Sequence, residues 1–94
     1  MVPAVAWDCP RAAELLLHNW PDGTVVFDDA NGHLQCLSPV SGALLAMLTA
    51  GLPRRSTDLA YELLGEAPTA DDVQMVENIL AEFSSLNLIE RLAV

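Results

Sequence analysis

The stretch GTVVFDDANGHLQCLSP, residues 23–39, changes period twice, and those changes decide the fold. Val25 and Phe27 alternate with Thr24, Val26 and Asp28, which is the two-residue period of a strand. Asn31-Gly32 follows, a pair that favours a tight hairpin because both residues tolerate positive φ. Alternation then resumes, with Leu34 and Cys36 on one side and His33, Gln35 and Leu37 on the other. At Ser38-Pro39 the strand must stop: serine is a preferred N-cap and proline is favoured at the first helical position.

Working outward, the upstream run ELLLHNW closes on Pro21-Asp22-Gly23, a turn signal. It supplies a further strand, giving an antiparallel meander of three. Downstream, Val40, Leu44, Met47 and Leu48 keep helical spacing, with Gly51 as the stop. Ser56 or Thr57 opens a short second helix, with Leu59, Leu63 and Leu64 turned inward and Gly65 at its end. Thr69 and Asp72 resemble a capping box for the longest helix, which runs to about Leu86. The closing LIERLAV reads as a short extended segment or a packed tail. Residues 1–13 show no period and read as a loosely ordered approach. The expectation is one domain over residues 1–94, α+β in class, with a three-stranded antiparallel sheet followed by three helices in a winged-helix-like layout.

Composition narrows what such a domain does. Thirteen Asp and Glu oppose four Arg and no Lys, a formal charge of −9. That balance repels polyanions, so nucleic acid and an anionic membrane surface are excluded as partners, winged-helix layout notwithstanding. The amino terminus lacks the basic start and long apolar run of a signal peptide, and two cysteines fit a cytoplasmic protein. Cys9, His18, His33 and Cys36 include one close pair, His33-x-x-Cys36, whose side chains point to opposite faces of a strand. A zinc site is therefore not expected, nor another cofactor, and Cys36 reads as a small core residue rather than a nucleophile. Trp20 reads as packing at the mouth of the turn. No catalytic constellation is present, and the chain is read as no enzyme.

Two features remain for function. The last helix carries Val73, Met75, Val76, Ile79, Leu80, Phe83 and Leu86 over an arc of roughly 160°, more than the stripe of about 100° that packing on a core requires. Either all of it is core or its margin lines a groove. A meander also has edges, and an edge strand leaves backbone N–H and C=O groups unpaired. An extended peptide can pair with such an edge while its side chains settle on a neighbouring apolar helix.

The layout and several residues resemble the PqqD-like peptide chaperones, also called RiPP recognition elements, and especially the PqqD-type proteins that accompany HPr-kinase-related proteins. The resembling parts are the WPDG entry at Trp20–Gly23, the ribbon through Pro39, the helices VSGALLAML and STDLAYELLG, and the ending ILAEFSSLNLIE. Asn87 stands where glycine is common in that ending, and asparagine tolerates the same left-handed backbone. The resemblance implies a domain that binds the leader region of a ribosomally made precursor peptide and presents it to a peptide-modifying enzyme. It further implies that the leader pairs with the third strand, here His33, Leu34, Gln35, Cys36 and Leu37, and lies against the third helix at Met75, Val76, Ile79 and Glu82. The alternative is an interaction subunit that uses the same surface to dock on a protein or to form a homodimer.

Overall fold

A computed structural model describes residues 5–50 and 53–93; Gly51, the expected stop of the first helix, lies outside them. The elements run β1 (Val5–Asp8), a 3-10 turn (Ala12–Glu14), β2 (Leu15–Trp20), β3 (Gly23–Asp28), β4 (His33–Leu37) and α1 (Pro39–Thr49). Then come β5 (Arg54–Arg55), α2 (Ser56–Leu64), α3 (Ala70–Ser85) and β6 (Glu90–Ala93). The meander is present as an antiparallel sheet in the order β2-β3-β4. The three helices follow it.

The hairpin is built differently from its sequence signal. Its loop spans four residues rather than two, and only Gly32, at φ 74°, has positive φ there. Gly32 N–H donates to the Asp28 carbonyl at 2.7 Å, and Asn31 works through its side chain, accepting from His33 N–H at 2.8 Å. Asparagine thus serves by mimicking a backbone turn, not by adopting the left-handed conformation.

The amino-terminal residues correct the sequence reading, while the closing segment is extended, one of the two states expected of it. Val5–Asp8, expected to be loosely ordered, is the centre of a second antiparallel sheet in the order β5-β1-β6. Ala6 pairs with Leu92 on one side and Arg55 on the other. Such short strands are too brief to show a period, and their pairing is fixed by the packing of Trp7, Cys9, Leu88 and Ile89 into the core.

The helices form for legible reasons. Ser38 caps α1 by accepting from Ser41 N–H at 3.2 Å, with Pro39 in the first turn. At α3, Thr69 accepts from Asp72 N–H at 3.2 Å and Asp72 accepts from Thr69 N–H at 2.9 Å, closing the capping box. The far end of α3 is a Schellman closure: Leu88 N–H donates to the Phe83 carbonyl and Asn87 N–H to the Ser84 carbonyl, both at 3.0 Å, with Asn87 at φ 60°. α2 departs from expectation. Arg55 occupies its N-cap position without a side-chain bond, and Ser56, instead of capping, donates across to Glu77 at 3.1 Å.

The core lies between the meander and the helices. Val26, Leu44, Leu45, Leu59, Val76 and Leu80 are fully buried, and Phe83 nearly so. Gly42 sets how closely α1 approaches β3, since a Cβ there would stand 2.5 Å from Thr24 Cβ. Leu63 packs against this core, but Leu64, expected to face it, is 40% exposed.

Candidate functional site: the free edge of β4 and the open flank of α3

Because the order is β2-β3-β4, strand β4 is paired on one side only, with β3. His33 to Leu37 therefore present a row of backbone groups with no strand beside them among the described residues, the condition for accepting another chain. Burial on β3 assigns the faces. Thr24, Val26 and Asp28 are buried beneath the helices, so their partners Leu37, Gln35 and His33 lie on the inner side, and Leu34 and Cys36 point outward. Leu37 touches the core and Gln35 is half-buried, whereas His33, Leu34 and Cys36 are exposed.

Cys36 is thus not the core residue its apolar surroundings suggested. The strand alternates as expected, but the sequence does not say which parity faces the helices. Cys9 is the buried thiol, and it donates to the Leu88 carbonyl at 3.3 Å; burial pushes it above its ordinary pKa. His18 and Cys36 share the outer face with Val25 between them, placing them about two strand spacings, roughly 10 Å, apart. That separation does not make a nucleophile–base pair. Among the described residues no three His, Cys, Asp or Glu side chains cluster as metal ligands would.

The arc on α3 divides. Val76, Leu80 and Phe83 are buried, and Val73 and Ile79 are half-buried against the core. Met75 and Leu86 stay 39% and 38% exposed, and Glu82 is exposed. Val76 is therefore a core residue and offers nothing to a ligand; the open flank consists of Met75, Ile79 and Glu82. α3 packs on α2, and β4 packs on β3 and α1, so strand and helix flank meet the same core through Leu37 and Ile79. Depressions of 630 Å³, lined by Met47, Tyr61 and the Arg54–Glu62 ion pair, and 490 Å³, lined by Pro10, Arg11 and Asn87, involve neither β4 nor that flank.

Positive charge is scarce, and two of the four arginines are engaged in ion pairs. Arg11 donates to both oxygens of Asp28 at 2.5 and 2.6 Å, to Glu14 at 3.2 Å and to the Asn87 carbonyl at 2.8 Å. One side chain so ties the amino-terminal segment to the start of the hairpin and the end of α3. Arg11 holds the Asp28 carboxyl below its usual range. Arg54 is paired with Glu62.

The sequence reading missed Leu16 and Trp20, which are 60% and 59% exposed on the outer face of β2. Three consecutive leucines, 15 to 17, concealed the parity. Trp20, read as turn packing, instead lies against His18 with ring centroids 4.4 Å apart. Trp7 is the buried tryptophan.

No protein-family model matches the chain, and no curated protein does. Among solved structures it is similar to TbiB1 in complex with the TbiA(beta) leader peptide, at 15% identity and a TM-score of 0.64, over 82% of this chain and 90% of that one. The two chains share a fold. The α+β arrangement of a three-stranded antiparallel sheet followed by three helices is the one the PqqD-like resemblance implied.

Proposed function

We propose that the chain binds the leader region of a ribosomally made precursor peptide by strand addition to β4 and presents it to a peptide-modifying enzyme, itself performing no chemistry. The observation that carries this reading is the unpaired edge of His33–Leu37, in a fold shared with a protein solved with a leader peptide bound. Backbone hydrogen bonds along the edge supply adhesion, and side-chain contacts supply selectivity. Inward-facing residues of the leader meet Gln35 and Leu37; Met75, Ile79 and Glu82 of α3 form the flank against which it lies.

The reading accounts for the charge as well. With a formal charge of −9 and the guanidinium groups of Arg11 and Arg54 already engaged, a strongly acidic leader is repelled. A neutral or basic segment is the preferred class.

Synthetic leader segments of the short open reading frames beside the gene, titrated into the isotopically labelled full chain, test the proposal. Micromolar binding is expected, with amide shifts concentrated at residues 33–37 and 73–83. Shifts confined to other elements, or no binding by any such peptide, contradict it. Sedimentation without peptide tests the homodimer alternative, since a tight dimer paired through β4 would occlude the edge.

A further inference from the structure

The outer face of the meander is uncovered and carries no acid or arginine over its width. In register, Leu16 pairs with Phe27 and Phe27 with Leu34, forming one apolar row across the sheet. Alongside it runs the row His18, Val25 and Cys36. Leu16 and Leu34, at the two ends of the first row, are 60% and 62% exposed, so no described residue covers them. In a protein where 13 residues are acidic, a sheet face free of them is an apolar surface of the kind that marks an interaction site.

The row ends at the free edge. A strand added beside β4 places one of its outward side chains directly beside Leu34 and another, two positions along, beside Cys36. A charged residue there would be held against exposed apolar surface with no partner on this face. An aliphatic or aromatic one continues the row from three strands to four, burying part of Leu34.

Resting on the reading of β4 as the leader-binding edge, we infer that the outer sheet face is a specificity surface for that same peptide: the bound segment carries an aliphatic or aromatic residue beside Leu34 and an uncharged residue beside Cys36. Selectivity then comes from both sides of the added strand, the helix flank on the inside and the Leu16–Phe27–Leu34 row on the outside.

The test uses a displayed library of random linear dodecapeptides selected on the full chain, with register assigned from contacts between peptide protons and the Leu34 side chain. Selected peptides are expected to carry an aliphatic or aromatic residue at that position and an uncharged one two positions away. Leu34→Thr, which keeps a strand-forming residue, is expected to weaken them roughly five- to tenfold. Leu64→Ala, an exposed leucine on α2, is expected to leave affinity unchanged. Peptides that protect β4 amides yet place a charged residue beside Leu34, or that bind Leu34→Thr as well as the wild type, overturn this inference while leaving the binding edge intact. If no selected peptide perturbs β4, the leader-binding reading itself fails and takes this inference with it. A peptide-free dimer that buries Leu34 also overturns it.

Discussion

Arg11 is the residue on which the most separate parts of the chain converge. Its guanidinium joins Asp28 at the hairpin, Glu14 in the preceding turn and the Asn87 carbonyl beyond α3. Arg11→Ala should lower the melting temperature, and Asp28→Asn should do so at neutral pH. The sign with pH follows from the lowered Asp28 pKa. The pairing contributes fully above the ordinary aspartate value, about 3.9, and is lost as pH falls through the lower folded value. The difference in thermal midpoint between wild type and Asp28→Asn should therefore shrink on acidification; a difference that widened would contradict the assignment. The cysteines separate just as cleanly. Exposed Cys36 should react with a thiol reagent at pH 8 in the native protein, and buried Cys9 only on unfolding. Quantifying modified sites by peptide mapping checks this, and equal rates would contradict the placement of the two thiols.

At the scale of elements, two close fits determine where helices sit. Gly42 lets α1 lie on β3 at Thr24, and Gly42→Ala forces the helix away. Overpacking costs about 1–3 kcal/mol, against a helix-propensity gain of about 1 kcal/mol, so denaturant titration should show a net loss. Asn87, in the left-handed region, ends α3; Asn87→Val should destabilise by about 1 kcal/mol and Asn87→Gly should not, by the same measurement. The hairpin, the Ser38-Pro39 start and the Thr69–Asp72 box were legible because each is a local device whose residues contact their own neighbours. β1 and β5 were not, and the pairing of β6 was not, because four or fewer residues carry no readable period and their partners lie far away in the chain. Parity on β2 and β4 was hidden for a related reason. Alternation reveals two faces, but only tertiary packing says which is inside, and so Cys36 and Trp20 emerged exposed.

For the molecule as a whole, an open strand edge and a half-open helix flank adjoin one core, which they meet through Leu37 and Ile79, and a sheet face without acids or arginines lies on the other side. Of the residues carried over from the family resemblance, only Val76 falls in that core; its neighbours Met75 and Ile79 sit at the margin, where the width of the apolar arc left room for either outcome. The central claim is that β4 takes up a foreign strand. The direct measurement is residue-resolved amide hydrogen exchange of the full chain, with and without a bound leader peptide. Slowed exchange should concentrate on the amides of His33–Leu37 that face away from β3, with the amides along the opposite edge, β2, unchanged. Protection along β2 instead, or exchange in β4 that stays the same at saturating peptide, would contradict the account.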